Sequence, residues 1–316
     1  MLLALCMALL LAQAGGLTVV VSGASGRVGS EVARDLSKRP HVRVVALVRS
    51  AEKARAMLPD GVVVLEADYG DATALDAALA RVEAGFRLFL ACGNSPQQAE
   101  LELNVVRAAR ARGCAFCCKL STATPALEMR QGPYEAHLRV EAALREESSD
   151  ARLPHAVLRP NLFMQMLTAP PLGVAAHLAE SDRAEHPFAD AAISMIDARD
   201  VAAVGAAILV GDDPEAQHGS QTYELTGPTA ATLAGDLADA LRAVRPRPVE
   251  VAACDATKFV ISAGVPEPAA ARLAGFLDVL AECSDVSDRV EAITGRAPRS
   301  LADFVRDDAR PWLPHS

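Results

Sequence analysis

Short apolar runs alternate with helix-length amphipathic segments from residue 17 onward. A parallel sheet with helices on both faces produces this pattern, because its strands are buried on both sides and its crossover connections are helices. The predicted strands are Leu17–Ser22, Arg43–Val48, Val62–Glu66, Phe86–Ala91, Ala115–Leu120 and His155–Arg159. The predicted helices are Val28–Ser37, Ala51–Met57, Thr73–Arg81, Gln97–Arg112 and Tyr134–Glu147. The sequence therefore predicts an α/β protein with a doubly wound parallel sheet.

The alternation is lost after Pro160, which indicates a second unit of different construction. Its predicted strands are Ile193–Ile196, Thr222–Thr226 and Val249–Ala252, and its predicted helices are Val201–Val210, Ala230–Ala243, Pro268–Leu280, Asp285–Thr294 and Ser300–Asp307. We expect a main domain over residues 17–165 and a smaller α+β unit over 166–316 that caps the substrate. Residues 192–211 are a candidate to return to the main sheet.

The first sixteen residues form an apolar leader. Leu2 to Leu11 is too short to cross a bilayer, which takes about 20 residues, but it suits a signal peptide, and Ala12-Gln13-Ala14 suits a cleavage site. A basic start is missing, so an uncleaved apolar segment before the first strand is the alternative. The expected location is cytoplasmic, with a secretory route or organelle targeting through residues 1–14 left open.

Composition narrows the function classes. The chain has 316 residues and a formal net charge of −9, and only 4% of its residues are aromatic, which disfavours nucleic acid as a partner. Seven cysteines, with one C-x-x-C spacing at Cys114 and Cys117 and no second pair, favour a reduced compartment and no metal site. Cys114, Cys117 and Cys118 are expected to be buried small apolar residues.

A glycine-rich turn joins the first predicted strand to the first predicted helix. The turn is Gly23-Ala24-Ser25-Gly26-Arg27-Val28-Gly29. Gly23 permits a tight turn, Gly26 lets backbone N–H groups approach a pyrophosphate, and Gly29 lets the helix pack closely on the strand. In this strand-turn-helix context the motif predicts a Rossmann-type dinucleotide site, with the anion at the helix N-terminus. A purely structural turn is the alternative.

The end of the second strand predicts which dinucleotide is bound. A carboxylate there would bond the ribose of NAD, but this chain has Arg49 and Ser50, which suit the 2′-phosphate of NADP(H). A solvated arginine is the alternative reading of Arg49. Asp68 and Tyr69 follow the third strand, and we expect them beside the adenine. Ala91, Cys92 and Gly93 follow the fourth strand, and we expect them beside the nicotinamide ribose, where oxidation of Cys92 would matter.

The chain resembles the NmrA-like branch of the atypical short-chain dehydrogenase/reductases from residue 17 to about 310. Besides the glycine-rich turn, the resemblance rests on segments that occur in family order: Lys119-Leu120-Ser121, His137-Leu138-Arg139-Val140-Glu141, Leu158-Arg159-Pro160-Asn161-Leu162-Phe163-Met164, Ile196-Asp197-Ala198-Arg199-Asp200-Val201-Ala202, Tyr223-Glu224-Leu225-Thr226-Gly227-Pro228, Thr294-Gly295-Arg296-Ala297-Pro298-Arg299-Ser300 and Asp303-Phe304. The family includes NADPH-dependent quinone and triphenylmethane-dye reductases and non-catalytic NADP sensors. The resemblance implies that Lys119 and Ser121 lie near the nicotinamide and that Pro160 and Asn161 line the cleft over it.

The sequence departs from the Tyr-x-x-x-Lys pair with which the wider superfamily reduces carbonyls. The nearest arrangement is Tyr134-Glu135-Ala136-His137, with the tyrosine one residue too close and a histidine in place of the lysine. A helix turns about 100° per residue, so we expect the Tyr134 phenol to point away from the reacting carbonyl. His137 is a candidate proton donor to a quinone oxygen, and a packed residue or an ion pair with Glu141 is the alternative.

Two functions remain open at this stage. The first is an NADPH-dependent oxidoreductase that transfers hydride to a quinone-like or other conjugated small molecule, with Lys119, Ser121 and His137 as candidate catalytic residues. The second is a non-catalytic NADP(H)-binding redox sensor of the NmrA type. The leader is too short for a membrane span. A homodimer and a regulatory protein partner are left open.

Overall fold

The computed structural model describes residues 16–130, 133–146, 148–169 and 173–313. Residues 1–15 of the predicted leader lie outside the described residues, as does Glu147 at the end of one predicted helix.

Strands and helices alternate in the first half of the chain as the hydrophobic pattern predicts. The elements are β1 (Leu17–Ser22), α1 (Arg27–Leu36), β2 (Val42–Val48), α2 (Ala51–Met57), β3 (Val63–Glu66), α3 (Ala72–Leu79), β4 (Arg87–Leu90), α4 (Gln98–Ala111), β5 (Phe116–Leu120), α5 (Thr124–Glu128), α6 (Pro133–Arg145) and β6 (His155–Pro160). Each predicted element is present with ends shifted by at most one or two residues. The short helix α5 was not predicted, because five residues are too few to show a helical period.

The second half contains shorter elements. They are a 3₁₀ turn (Met164–Thr168), α7 (Ala175–Glu180), β7 (Arg183–His186), α8 (Ala198–Val210), α9 (Pro214–His218), β8 (Thr222–Leu225), a π-helical turn (Leu233–Leu237), α10 (Ala238–Leu241), β9 (Glu250–Ala253), α11 (Ala256–Ser262), α12 (Glu267–Ala281), α13 (Arg289–Thr294), α14 (Leu301–Asp307) and a 3₁₀ turn (Arg310–Trp312).

The main sheet has seven strands in the order β3-β2-β1-β4-β5-β6-β8. Strand β1 pairs in parallel with β2 on one side and β4 on the other. Its residues Val19, Val20 and Val21 are fully buried, as expected for a central strand covered on both faces. Successive strands are added on one side of β1 up to β3 and on the other side from β4 onward. Doubly wound folds bind ligands at this change in strand order. The predicted Rossmann-type fold class is confirmed.

Three predictions for the second half need correction. Ile193–Ile196 forms no strand, because Ile193 bridges to Ala231 while Ile196 bridges to Phe163, so the segment pairs with two different partners. The predicted strand Thr222–Thr226 joins the main sheet as β8 instead of staying in the smaller unit, while the return of residues 192–211 stays a prediction. The helix predicted over Ala230–Ala243 begins as a π-helical turn, with the Leu237 N–H donating to the Thr232 carbonyl at 3.1 Å.

Two compact units interleave along the sequence. Of the described residues, the first unit contains those up to Leu120 together with those of Ala136–Val157 and Gly205–Thr222, and the second contains those of Ser121–Glu135 and Leu158–Val204 and those from Tyr223 onward. This division differs from a single boundary at residue 165, because helices and strands from later in the chain return to the first unit.

Each unit has its own means of holding its segments. In the first unit, the Arg87 guanidinium donates to the Leu209 and Gly211 carbonyls at 2.7 and 2.6 Å. This arginine therefore satisfies carbonyls that the end of α8 leaves unpaired. In the second unit, the buried Trp312 packs edge to face on Phe304, with ring centroids 6.4 Å apart.

A buried carboxylate also connects two of the family segments in the second unit. Asp200 is fully buried and accepts hydrogen bonds from the Arg299 backbone N–H at 2.7 Å and the Arg299 guanidinium at 2.5 Å. Arg296 lies 3.3 Å from the same carboxylate. Burial raises the pKa of Asp200 above its ordinary value, and the two arginines act in the opposite direction. The ion pairs thus join the start of α8 to the segment before α14.

We expect Asp200→Ala to lower the free energy of unfolding by about 2–4 kcal/mol, because Arg299 loses a charged partner in a buried setting. Urea unfolding followed by tryptophan fluorescence measures this, since Trp312 is the one tryptophan and lies in the same unit. The control is Asp239→Ala, which removes the exposed pair with Arg242 and should cost less than about 1 kcal/mol. Equal losses in the two variants would contradict the expectation.

Candidate functional site

The turn between β1 and α1 has no room for side chains at two of its glycines. Gly23 has a φ of +61°, a conformation that favours glycine. A Cβ added to Gly23 would lie 2.7 Å from the Ala91 carbonyl oxygen, and one added to Gly29 would lie 2.3 Å from the Gly23 carbonyl oxygen. Gly29 thus allows the first turn of α1 to rest directly on the end of β1, as the sequence predicts.

The N-terminus of α1 follows this turn without a side-chain cap. Gly26 is the N-cap residue, it is extended at φ −92° and ψ 173°, and it has no side chain to accept from the first N–H groups. The first helical hydrogen bond runs from the Ser30 N–H to the Gly26 carbonyl at 3.0 Å. Ser25 is partly exposed, and Gly26 and Arg27 are exposed. A helix end of this kind suits an anion such as a pyrophosphate.

Two hydroxyl groups hold the turn in place. The Ser22 hydroxyl donates to the Ala91 carbonyl and accepts from the Ala91 N–H, both at 2.9 Å. The Tyr69 hydroxyl donates to the Leu47 carbonyl at 2.5 Å and accepts from the Gly23 N–H at 2.8 Å. Burial raises the pKa of the Tyr69 phenol above its ordinary value, so it stays a donor. The carboxyl ends of β1, β2 and β4 are joined through these bonds.

Arg49 and Ser50 follow β2 at the same edge of the sheet, and both are exposed. Within the described residues, no hydrogen bond or ion pair holds the Arg49 side chain. Ser50 is the N-cap of α2 and accepts from the Lys53 N–H at 3.4 Å, which leaves its own O–H to donate. The exposed Asp68 accepts from the Gly70 N–H at 2.8 Å, and Gly93 is also exposed.

The Lys119 side chain is fully buried at the end of β5. Its ammonium lies 2.9 Å from a carboxylate oxygen of the equally buried Glu102 and 2.9 Å from His137 Nδ1, and it donates to the Leu120 carbonyl. Burial raises the pKa of Glu102, while Lys119 lowers it. The ammonium thus forms one ion pair and two hydrogen bonds inside the first unit.

His137 belongs to the same buried network, which weighs against its predicted role as a titrating proton donor. Burial and the adjacent Lys119 charge lower the pKa of His137 to about 2, and the imidazole is neutral at physiological pH. Lys119 donates to Nδ1, which leaves the remaining proton on Nε2, and the side-chain amide of Gln98 lies 3.2 Å from Nε2. The predicted pair with Glu141 is also absent from the described part of the chain, where Glu141 pairs with Arg145 at 3.4 Å.

Gln98 and Glu102 were missed by the sequence reading. Both are buried on α4 and lie four residues apart. The buried Val105 and Ala109 continue the same stripe along the helix. The apolar stripe of this helix therefore carries two polar residues at its N-terminal end. Such residues inside a buried stripe indicate a partner in the core, and that signal could have located the network.

In the second unit, the Asn161 side chain makes three hydrogen bonds. It is buried and donates to the Ser194 hydroxyl at 2.8 Å and to the Cys283 carbonyl at 3.2 Å, and it accepts from the Leu162 N–H at 2.7 Å. Its amide thus joins two loops to the end of β6 and has one acceptor position left.

Pro160 and Ser121 lie near the carboxyl ends of β6 and β5. Pro160 is buried and its carbonyl accepts from the Ala123 N–H at 3.0 Å. Ser121 is also buried, and its N–H donates to the Leu158 carbonyl at 2.7 Å. The contacts of Pro160, Asn161 and Ser121 with a cofactor stay predictions.

Tyr134 is packed rather than presented as an acid. Its ring stacks on Phe276 with centroids 5.0 Å apart and an interplanar angle of 28°. Burial raises the pKa of the Tyr134 phenol well above its ordinary value. Both observations agree with the expectation that this tyrosine does not replace the missing Tyr-x-x-x-Lys pair.

Burial raises the thiol pKa of each cysteine that the sequence analysis names. Burial raises the pKa of Cys114 to about 12, and Cys117 and Cys118 are fully buried with their pKa values raised in the same way. These three are apolar core residues, as expected. Burial and the nearby Glu102 raise the pKa of the half-buried Cys92, which weighs against a redox role. Among the described residues, no three side chains of His, Cys, Asp or Glu are grouped as a metal site.

The profile of the NmrA-like family matches residues 16–303. This chain belongs to the NmrA-like family. It is 30% identical over 303 residues to the (4-alkanoyl-5-oxo-2,5-dihydrofuran-3-yl)methyl phosphate reductase of Streptomyces griseus, which covers 94% of this chain and 99% of that protein.

Two solved structures extend the comparison. The NADPH complex of the Escherichia coli quinone oxidoreductase QOR2 has a TM-score of 0.74 at 26% identity, and the NADP(H) complex of Citrobacter sp. triphenylmethane reductase has 0.73 at 25%. Each covers 92% of this chain and 99% of the other. The resemblance predicted from the family segments is confirmed. The glycine-rich turn of this NmrA-like chain therefore lies in a fold that is known to accept a nicotinamide dinucleotide.

We expect Tyr69→Phe to weaken NADPH and NADH binding to a similar extent, by about five- to twentyfold. The loss of the hydroxyl leaves the Gly23 N–H and the Leu47 carbonyl without their partner, at about 1–3 kcal/mol, and releases the turn on which either dinucleotide would rest. Fluorescence titration with each cofactor measures the effect. Tyr134→Phe is the matched control and should change neither dissociation constant, whereas equal binding by both variants would show that Tyr69 does not support the turn.

The histidine network should also make stability depend on pH. The pKa of His137 is lower in the folded chain than the value of about 6.5 for an unfolded histidine, so its contribution is present above pH 6.5 and is lost as pH falls toward 2. Between pH 7 and pH 5 this histidine alone should cost about 2 kcal/mol. We expect His137→Gln to lose correspondingly less stability over that interval in urea unfolding followed by circular dichroism. Identical pH dependence in variant and wild type would contradict the buried neutral state.

Proposed function

We propose that this chain is an NADPH-dependent oxidoreductase that transfers hydride to a quinone-like or other conjugated small molecule. The observation that carries the proposal is the glycine-rich turn, closed to side chains at Gly23 and Gly29 and followed by an uncapped helix, in a chain that is collinear with reductases. Those relatives are named for a dihydrofuran phosphate, a quinone and a triphenylmethane dye, and two are complexed with NADPH or NADP(H). They bear out the predicted reaction class and cofactor.

We infer that the first unit holds the dinucleotide along the carboxyl edge of its sheet. The N–H groups at the start of α1 would receive the pyrophosphate. Arg49 and the Ser50 hydroxyl would receive the 2′-phosphate, which suits an unpaired guanidinium beside a free O–H donor. Ala91, Cys92 and Gly93 follow the next strand at this edge, where we place the nicotinamide ribose.

Lys119 acts as a positioning residue in this proposal. Its ammonium is committed to Glu102, His137 and the Leu120 carbonyl, and so it fixes the carboxyl end of β5 rather than touching the reacting atoms. Asn161 would hold the end of β6 in the same manner through Ser194 and Cys283. Ser121, between these two strand ends in sequence, remains the candidate nearest to direct contact with substrate or cofactor.

The chemistry suits an acceptor that needs no strong acid. When bound, NADPH supplies a hydride. The candidates for a titrating acid are unsuited, because His137 is neutral and buried and the pKa of Tyr134 is raised. A conjugated acceptor spreads the charge of the added hydride over several atoms and takes its proton from water. The residues of this site therefore contribute position more than proton transfer.

A non-catalytic NADP(H) sensor is the second candidate, favoured by the packing of Tyr134 on Phe276 where a superfamily acid would be sought. The two are separated by measuring NADPH consumption against a panel of quinones, triphenylmethane dyes and enones. Turnover of any panel member supports the enzyme. Tight NADPH binding without turnover across the panel supports the sensor.

The compartment and the oligomeric state belong to the proposal as well. In the part of the chain that the structure describes, none of the helices combines the length and the apolar composition needed to cross a bilayer. A cytoplasmic location, a homodimer and a regulatory protein partner remain predictions, and a small-molecule substrate is the partner that the proposed reaction requires.

We expect Arg49→Asp to weaken NADPH binding at least about tenfold and to leave NADH binding unchanged. A charge-assisted hydrogen bond to the 2′-phosphate is worth about 1.5–3 kcal/mol, and NADH has no such phosphate. Paired fluorescence titrations at fixed ionic strength measure both cofactors. Arg43→Asp makes the same charge change at the amino end of β2 and should alter neither constant. A mutant that keeps its preference for NADPH would move the discrimination away from Arg49.

A further inference from the structure

A carboxylate lies beside the two residues that we assign to the 2′-phosphate. Glu66 is the last residue of β3 and stands in register with Val48 at the end of β2. Its carboxylate accepts a hydrogen bond of 2.6 Å from the Ala51 N–H, the residue directly after Arg49-Ser50. The Glu66 side chain is exposed and carries no basic partner among the described residues.

The position of Glu66 relative to Ser50 follows from the geometry of α2. The Ser50 hydroxyl accepts from the Lys53 N–H, and Glu66 accepts from the Ala51 N–H, so both groups sit on the first turn of the same helix. One helical turn spans about 5.4 Å, so the carboxylate and the Ser50 hydroxyl are held at the same end of α2. Arg49 attracts an anion bound at that end, and Glu66 repels it.

We propose that Glu66 is a specificity-determining residue that limits the preference of this site for NADPH over NADH. The inference rests on the proposed function, since it concerns the same cofactor. A 2′-phosphate carries close to two negative charges at neutral pH and meets the carboxylate, whereas the uncharged 2′-hydroxyl of NADH does not. The carboxylate therefore opposes part of the selectivity that Arg49 creates.

The alternative is a purely structural role, in which Glu66 only accepts the Ala51 N–H at the start of α2. Glu66→Gln separates the two, because the glutamine side-chain carbonyl can still accept from the Ala51 N–H while the charge is gone. A capping role predicts little change in cofactor binding. A charge role predicts tighter NADPH binding that salt weakens.

The experiment measures dissociation constants for NADPH and NADH on the full chain by fluorescence titration, at about 0.02 M and about 0.5 M salt. We expect Glu66→Gln to lower the NADPH constant about three- to tenfold at low salt and to leave the NADH constant within about twofold. The gain should shrink at high salt. The control is Glu83→Gln, which removes an exposed charge just before β4 at the opposite edge of the sheet and should change neither constant.

Each result decides the inference. An unchanged NADPH constant in Glu66→Gln, an equal change for both cofactors, or a gain that persists at high salt would overturn the role of Glu66 while the proposed function stands. Failure of the wild-type chain to bind either cofactor would overturn the proposed function and this inference with it.

Discussion

The contact of α1 with the end of β1 is the constraint on which the rest of the site depends. The chain can place a helix N-terminus directly over the central strand only because Gly29 has no Cβ to meet the Gly23 carbonyl. The Ser22 and Tyr69 hydroxyls then hold that turn against β4 and β2. These bonds join neighbouring strand ends, so the start of α1, Arg49 and Ala91 are set relative to one another by the sheet itself.

A second constraint is the buried charge in the first unit. Lys119 and Glu102 are both removed from water, which is costly unless the charges are paired and their remaining hydrogen-bonding groups are satisfied. His137 and Gln98 complete the network as neutral partners. The arrangement joins β5 to α4 and α6. It also explains why Lys119 and His137, which the sequence offers as catalytic candidates, are unsuited to proton transfer.

The family segments of the second unit have a comparable structural explanation. Asp200 is held by Arg299, while Arg199 bonds both Asp197 and Asp307. Ser300 and Asp303 cap α14 reciprocally. The segments at residues 196–202 and 294–304 are therefore two halves of one set of ion pairs. Their order along the chain identified the family, and the contacts give the physical reason for those residue types.

The sequence by itself determined the doubly wound fold, the glycine-rich turn and the position of Arg49 at the end of β2. Each follows from a local pattern: the apolar period, the glycine spacing or the end of a strand. The tertiary structure alone decided the roles of Lys119 and His137, since burial and partners from other elements set whether a charged group faces solvent or the core. It also decided that Thr222–Leu225 joins the main sheet and that Ile193–Ile196 does not, because strand pairing depends on partners distant in sequence. Glu66 belongs to the same class: its spacing from Arg49 is unremarkable along the chain, and only the pairing of β3 with β2 brings them to one place.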